Sequence, residues 1–121
     1  DMIFCGYNTP VHHPAAPDHD RLGQFHNELC MQSGAYQNSC WVVGIAKAGL
    51  EEGVDMIAGS TIIASTGEIV ARSSSNGDEV IVARCDLDLG LSYRKTTFNF
   101  ALHRRTEHYG MLVERTGARA P

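Results

Sequence analysis

The first apolar run of the chain, Met2–Gly6, leads directly into a polar loop that begins at Tyr7. A run of this kind is typical of a buried β-strand, which we place at residues 1–5. In open α/β sheets, ligands bind in the crevice outside the carboxyl ends of the strands, so this loop is a candidate binding element. Because no helix or strand precedes the run, we interpret the start as either a processed product or a point inside a larger domain.

Composition and charge limit the classes of protein. The 121 residues suffice for one domain, and 43% of them are hydrophobic, which is enough for a packed core. The net charge of −4 argues against a nucleic-acid groove, which needs a clustered basic face. The longest apolar run, Trp41–Ala46, is far shorter than the roughly 20 residues of a membrane-spanning helix. We therefore expect neither a nucleic-acid partner nor a membrane partner.

Neither the cysteines nor the histidines form a metal motif. The cysteines lie in apolar contexts at irregular spacings, which indicates buried free thiols in a reducing compartment, the cytoplasm. They are Cys5, Cys30, Cys40 and Cys85. Four histidines in the first 26 residues lack the i, i+4 helical spacing of a zinc site and are interrupted by prolines, so we predict a loop at a pocket mouth. They are His12, His13, His19 and His26.

A loop, a helix and a second strand follow the first strand. Prolines interrupt residues 7–19, and a helix is predicted to begin with Asp18 or Asp20 as its N-cap. Five residues of this helix recur at helical spacing and predict one mainly apolar, packed face. They are Leu22, Phe25, Leu29, Ser33 and Tyr36. A strand at Cys40–Ala46 is apolar on both faces, which predicts that both of its faces are covered.

The second half of the chain predicts an antiparallel meander. A polar loop at 49–55 precedes three expected strands, which are connected by turns at 65–67 and 73–78 that contain Gly or Asn-Gly. The three strands span Ile57–Ala64, Glu68–Arg72 and Val80–Cys85.

A short helix and an arm complete the chain. Asp86 can cap a helix that runs through about Lys95 and that Gly90 weakens. Residues 99–121 are basic and aromatic without periodicity, which predicts an extended arm and a loose tail at 114–121. The order of elements favours an α/β fold with a mixed sheet.

Several segments, in a fixed order along residues 1–113, resemble N-carbamoyl-D-amino acid amidohydrolases, members of the nitrilase (carbon–nitrogen hydrolase) superfamily. The resembling segments are Gly6–Pro10, His26–Asn38, Glu51–Gly53, Ser60–Ile62, Thr66–Ala71, Asn99–Phe100, His103–Arg104 and His108–Gly110. The sequence departs from the family pattern at Cys5 and Ser65, where Gly and Pro are usual, and at Gly90.

The resemblance implies part of a four-layer αββα sandwich that pairs with a second subunit. It also implies hydrolysis of a ureido amide: a cysteine thiolate attacks the carbamoyl carbon, a glutamate acts as general base, and a lysine stabilises the oxyanion. No metal or organic cofactor is needed. The family's Glu, Lys and Cys have no counterparts here, so by the resemblance residues 1–113 are the C-terminal portion of the domain and inactive alone.

The resemblance places Tyr7, Asn8 and Thr9 in the substrate pocket, where an amide and hydroxyls can hold a carboxylate or ureido group. The alternative is a plain turn, since Asn-Thr-Pro is common in loops. No residue of the chain is expected to be catalytic. Cys5 lacks a base nearby in the sequence, and its family counterpart is not catalytic.

The remaining candidates have mainly structural interpretations. We expect Cys30 and Cys40 in the core and Asn38 at a corner, where its side chain bonds backbone groups. Arg104 and Arg105 either pair with carboxylates of a partner subunit or form a solvated basic face. Glu51 and Glu52 are expected to be solvated.

Two other functions stay open from the sequence. One is a related amidase or a hydrolase of β-ureido acids, for which the loop from Tyr7 to His19 would shape the side-chain pocket. The other is a non-catalytic, truncated interaction module. An exposed apolar sheet edge would favour self-association, so we expect a homo-oligomer or a companion N-terminal fragment.

Overall fold

A computed structural model describes residues 1–114 and residue 117 of the chain. Its helices and strands are, in order, β1 Met2–Tyr7, a 3-10 helix Pro17–Leu22, α1 Gly23–Asn38, β2 Trp41–Ala46, β3 Leu50–Glu51, β4 Val54–Asp55, β5 Thr61–Ile63, β6 Ile69–Arg72, α2 Leu91–Lys95, α3 Phe100–His103, a 3-10 helix Thr106–His108 and α4 Gly110–Glu114. The predicted tail at 114–121 lies mostly outside the described residues.

A mixed sheet with the strand order β1–β2–β5–β6 organises the described residues. β1 and β2 are parallel, with a register that runs from Met2 opposite Trp41 to Tyr7 opposite Ala46. β5 is antiparallel to both β2 and β6. Because neighbouring parallel strands need a long crossover connection, α1 serves as that connection. The predicted α/β fold with a mixed sheet is confirmed.

Side chains from alternate positions of the strands build a core on each side of the sheet. On the α1 side, Val42 and Ile63 pack with Ala35 of the helix and with Cys40. On the opposite side lies a cluster that the segment after residue 80 helps to cover. It consists of Trp41, Ile62 and Ala64, with Ile81, Ala83 and Cys85 packed against them.

The predicted position of the first strand is confirmed, but the prediction that this strand is buried is wrong. β1 lies at an edge of the sheet, and residues 3–6 are exposed, with Ile3 at 51% and Phe4 at 67%. Cys5 is likewise exposed, against the expectation of a buried thiol. The reason is that, within the part of the chain that the structure describes, β2 is the one strand that pairs with β1.

The predicted helix begins later than expected. Pro17 begins a 3-10 helix, where the missing N–H of a proline costs nothing, and α1 follows from Gly23. Asp20 therefore caps no helix: its carboxylate bonds the His12 ring at 2.6 Å and accepts the His13 backbone N–H at 2.9 Å. These hydrogen bonds, led by the one from His12, lower the pKa of Asp20.

The packed face of α1 also differs from the prediction. Ala35 is fully buried and Met31 packs beside it, whereas Phe25 is 57% and Leu29 48% exposed. Cys30, expected in the core, is exposed, although Cys40 is buried as predicted. The position of the sheet, rather than the most hydrophobic stripe, decides which side of this helix is covered.

The polar loop predicted at 49–55 is in fact the hairpin β3–β4. Glu52 and Gly53 have φ values of 50° and 84°, as the two central residues of a type I′ turn require. Glu52 is exposed, as predicted. The strand predicted at 57–64 shortens to β5 because Ala58 and Gly59, with φ values of 55° and 76°, leave the extended conformation.

The turn at 65–67 is confirmed, since Gly67 has a φ of 87° and joins β5 to β6. The strand predicted at Val80–Cys85 is wrong. Its side chains alternate as those of a strand would, with Val80 and Val82 exposed and Ile81 packed. The segment nevertheless does not form a β-strand.

The last predicted helix begins at Leu91 rather than at Asp86, because the Asp86 carboxylate accepts the backbone N–H of Asp88 at 3.0 Å in a local turn. The arm predicted as extended over 99–114 is instead folded into α3, a 3-10 helix and α4. None of the helices described within residues 1–114 is both long and apolar enough to cross a membrane.

Gly90, expected only to weaken a helix, is needed for a close approach. A Cβ at Gly90 would lie 2.3 Å from the Ser39 carbonyl oxygen and 3.2 Å from the Ser65 Cβ. We predict that Gly90→Ala destabilises the protein by about 1–3 kcal/mol, as overpacked core sites do. The measurement is urea unfolding of wild type and variant.

Gly34→Ala is the matched control, because a Cβ at Gly34 meets no atom within 4 Å and Gly34 lies inside α1. Alanine is the better helix former, so this control is expected to gain up to about 1 kcal/mol. Equal unfolding midpoints for Gly90→Ala and wild type would contradict the close approach.

The exposed edge of the sheet predicts self-association of the 121-residue chain produced alone. Phe4 on β1 and Ile45 on β2 leave apolar surface uncovered beside an unpaired strand edge. Sedimentation velocity should show dimers or larger species, which Phe4→Asp reduces. Leu102→Asp, which alters an equally exposed residue of α3, should leave them unchanged. A monodisperse wild-type monomer would refute this prediction.

Candidate functional site

The carboxyl ends of β1 and β2 meet at one edge of the sheet. The Lys47 backbone N–H donates to the Tyr7 carbonyl at 2.8 Å and so joins the two strand ends. A depression of about 440 Å³ opens at this point. It is lined by Gly6, Tyr7, Asn8, Ile45, Ala46 and Lys47. This is the place where α/β sheets bind ligands.

A second depression, of about 350 Å³, lies against the same end of β2. It shares residues 45–47 with the first depression and is closed by the segments 58–60 and 73–79. The Ser60 hydroxyl accepts the Ala46 backbone N–H at 2.9 Å, and the Ser60 carbonyl accepts the Ser73 N–H at 2.9 Å. Ser60 thus connects the strand end to both closing segments.

The segment 73–79, which includes the turn predicted at 73–78, is ordered by an acidic side chain. The Glu79 carboxylate accepts the backbone N–H groups of Ser74 and Ser75, each at 2.9 Å. Hydrogen bonds from Ser74 and Ser75 lower the pKa of Glu79 below its ordinary 4.5, so the carboxylate stays charged at neutral pH. Hydrogen bonds within the segment 73–79 therefore fix the shape of this wall of the depression.

Lys47 supplies the positive charge at the strand ends. Its ammonium group pairs with Glu51, four residues later, and the Lys47 side chain is 44% exposed. Glu51 is itself 37% exposed, as expected of a solvated residue, and its carboxylate accepts a hydrogen bond from Lys47.

The three predicted binding residues have different environments. Asn8 is exposed at the rim of the first depression. Thr9 follows it, and its carbonyl accepts the Ile57 backbone N–H at 2.9 Å, which joins this loop to the β3–β4 hairpin region. Tyr7 lines the depression, but its phenol oxygen accepts a hydrogen bond from Asn27 Nδ2 at 2.8 Å and donates to the Gly59 carbonyl at 3.3 Å.

Burial raises the pKa of the Tyr7 phenol above its ordinary value of 10.0. The hydrogen bond from Asn27 acts in the opposite direction, because it stabilises the phenolate, and nearby Cys5 and Glu28 raise the pKa further. The phenol is therefore neutral at physiological pH and acts as a hydrogen-bond donor and acceptor.

A protein-family model described as carbon–nitrogen hydrolase matches residues 3–95, which is most of the chain and includes both strand ends. The chain belongs to the carbon–nitrogen hydrolase family. The family assignment confirms the superfamily that the sequence segments resemble.

Solved structures of other proteins share the fold of this carbon–nitrogen hydrolase chain. A carbon–nitrogen hydrolase from Helicobacter pylori G27 is 18% identical, with a TM-score of 0.74 over 94% of this chain. The Caenorhabditis elegans NitFhit protein is 22% identical, with a TM-score of 0.66 over 89%. Saccharomyces cerevisiae Nit3, of branch 10 of the nitrilase superfamily, is 22% identical, with a TM-score of 0.55 over 85%. The chain spans 41%, 24% and 34% of these proteins.

Sequence reasoning missed two residues of this candidate site. Lys47 follows β2 directly, as Asn8 follows β1, so the rule that identified Asn8 could also have identified Lys47. Asn27 lies within α1, and its contact with Tyr7 depends on how the helix sits on the sheet. No local pattern indicates that contact.

Other candidate residues have structural contacts. Asn38 Nδ2 donates to the Gly34 carbonyl at 2.9 Å, as expected of a corner. The Arg104 guanidinium lies 5.8 Å from the centre of the Tyr109 ring. His12 bonds Asp20, and within residues 1–114 and residue 117 no cluster of three metal-ligating side chains occurs.

The raised pKa of Tyr7 predicts a pH-dependent stability. The folded state holds the phenolic proton more tightly than the unfolded chain, so the contribution of Tyr7 is present below about pH 10 and is lost as the pH rises through the folded pKa. Tyr7→Phe should cost about 1 kcal/mol at pH 7, because it removes two hydrogen bonds of the hydroxyl. In urea unfolding, the gap between wild type and Tyr7→Phe should narrow above pH 10; a gap that stays constant would contradict the assignment.

Proposed function

We propose that this chain is the C-terminal part of a hydrolase that cleaves the carbamoyl C–N bond of N-carbamoyl-D-amino acids. The products are the D-amino acid, ammonia and carbon dioxide. Family membership supports hydrolysis of a carbon–nitrogen bond, and the segments Gly6–Pro10 and His26–Asn38 support the narrower substrate class by their resemblance to those amidohydrolases.

The observation that carries the proposal is the joint position of Asn8 and Lys47. They follow adjacent parallel strands and line the same depression of about 440 Å³. An amide offers donors and an acceptor that match a ureido group, and the Lys47 ammonium, one of whose three N–H donors bonds Glu51, has donors left for a carboxylate. N-Carbamoyl amino acids carry both of these groups. Thr9 and Tyr7 complete the proposed substrate wall.

In this proposal the chain recognises the substrate and another part of the enzyme breaks the bond. The resemblance assigns the nucleophile to a cysteine, the base to a glutamate and the oxyanion contact to a lysine, none of which is matched in this chain. Cys5, on the exposed face of β1, has no proposed catalytic role. The reaction requires no cofactor.

We further propose a cytoplasmic, homo-oligomeric enzyme, or one completed by a companion N-terminal segment within the four-layer αββα sandwich. This proposal is supported by the exposed apolar side chains of β1, such as Phe4, which a second subunit or an N-terminal segment would cover. The exposed thiols of Cys5 and Cys30 are compatible with a reducing compartment.

Hydrolysis assays test the proposed reaction. The full-length enzyme should release ammonia from N-carbamoyl-D-amino acids faster than from their L isomers or from β-ureido acids, and the 121-residue chain alone should release none. In the full-length enzyme, Asn8→Ala should raise KM about tenfold, the loss expected for one hydrogen bond to a charged or strongly polar group.

Gln37→Ala is the matched control, because it also removes an exposed amide, on α1, at the far end from the depression. Turnover by the isolated chain would refute the proposal that this chain only recognises the substrate and another part of the enzyme breaks the bond. A preference for β-ureido acids would assign the related substrate class instead, and an inactive full-length protein would favour the non-catalytic module.

A further inference from the structure

A left-handed bend forms one wall of the second depression. Ala58 and Gly59 have φ values of 55° and 76°, and both line the depression with Ser60. A positive φ is unfavourable for a residue with a Cβ, and such conformations persist only where surrounding contacts hold them. Ala58 is 4% exposed, so those contacts surround it on nearly all sides.

Two side chains from other elements hold this bend through one chain of hydrogen bonds. Asn27 of α1 donates to the Tyr7 phenol oxygen at 2.8 Å, and the phenol donates to the Gly59 carbonyl at 3.3 Å. The amide nitrogen can only donate, so it occupies an acceptor position of the phenol and leaves the phenol hydrogen for Gly59. The chain of bonds therefore has one direction, from α1 through the end of β1 to the bend.

A second contact from α1 holds the same bend from another side. Gln24 packs against Gly59 so closely that a Cβ there would lie 2.4 Å from Gln24 Nε2. Gln24 Nε2 bonds Glu28 at 2.7 Å, and Glu28 bonds Arg72 at the end of β6 at 2.7 Å. The helix thus holds the bend through one chain of hydrogen bonds and through the close packing of Gln24 against Gly59.

We propose that Tyr7 and Asn27 are positioning residues: their hydrogen bonds fix the Ala58–Gly59 bend of the second depression and, through Ser60, the end of β2 at residues 45–47, which the substrate depression shares. The bend leads directly into Ser60, whose hydroxyl accepts the Ala46 N–H and fixes the end of β2. A displaced bend would therefore move the wall that both depressions share. This role of Tyr7 differs from direct substrate binding, since its hydroxyl bonds Asn27 and the Gly59 carbonyl. The inference rests on the proposed function, in which the depression receives the substrate.

Kinetics of the full-length enzyme test this role. Tyr7→Phe and Asn27→Ala should each raise KM for an N-carbamoyl-D-amino acid about fivefold to tenfold and change kcat less than twofold, because a misplaced wall weakens binding without touching the reacting atoms. The double variant should be no worse than Tyr7→Phe alone, since both changes break the same chain of bonds.

Two control variants separate positioning from stability. Tyr36→Phe removes the phenol hydroxyl of a residue on α1. The ring of Tyr36 packs against Tyr93 and Phe98 in an aromatic cluster, not against the bend. Ile63→Val removes a methyl group from the core and lowers stability without contact to the depression. Both should keep the wild-type KM. A KM for Ile63→Val that rises as much as that for Tyr7→Phe would overturn the proposal, as would an unchanged KM for Tyr7→Phe.

Hydrogen exchange gives a readout that does not depend on turnover. The Ala58 N–H bonds the Lys47 carbonyl at 3.2 Å, and its exchange should accelerate at least fivefold in Tyr7→Phe relative to amides of β5. If the wild-type enzyme hydrolyses no carbamoyl substrate but this acceleration occurs, the proposed function fails and the positioning contact stands. If Tyr7→Phe does not fold, Asn27→Ala provides the same comparison. An unchanged Ala58 exchange rate in the folded variant overturns the proposal.

Discussion

The parallel pairing of β1 with β2 is the interaction on which the rest of this structure depends. Parallel neighbours need a crossover, which places α1 against the sheet, and their carboxyl ends then lie side by side. The bond from the Lys47 N–H to the Tyr7 carbonyl closes that pair of ends. Asn8 and Lys47 come together only because of this pairing, although 38 residues of sequence separate them.

How much of the fold the sequence could predict depends on whether local or tertiary forces decide each element. Gly67 was located correctly because a tight turn needs a positive φ, which is a local demand. The segment at Val80–Cys85 was not, because apolar alternation shows which side packs and cannot show whether a neighbouring strand is present. Likewise, Phe25 and Cys30 are exposed on α1. The position of the sheet determines which side of the helix is covered, and helical spacing alone does not show it.

The candidate site divides in the same way. Asn8 was predictable because it follows an apolar strand, and strand ends bind ligands in α/β sheets. The Asn27–Tyr7–Gly59 links could not be predicted, because they join residues distant in the sequence through a half-buried phenol and a strained bend. Tyr7 shows that a residue predicted to lie at the site can have an unexpected role there. Its backbone lies at the site, whereas its hydroxyl forms hydrogen bonds with Asn27 and Gly59.

We propose that the joined ends of β1 and β2 form the substrate-binding wall of an N-carbamoyl amino acid hydrolase. A crystal structure of the full-length enzyme, with its nucleophile replaced and an N-carbamoyl-D-amino acid bound, tests this most directly. We expect the substrate in the depression beside Tyr7, with the Asn8 amide within hydrogen-bonding distance of its ureido or carboxylate group. A substrate bound elsewhere, with Asn8 and Lys47 facing only solvent, would contradict it.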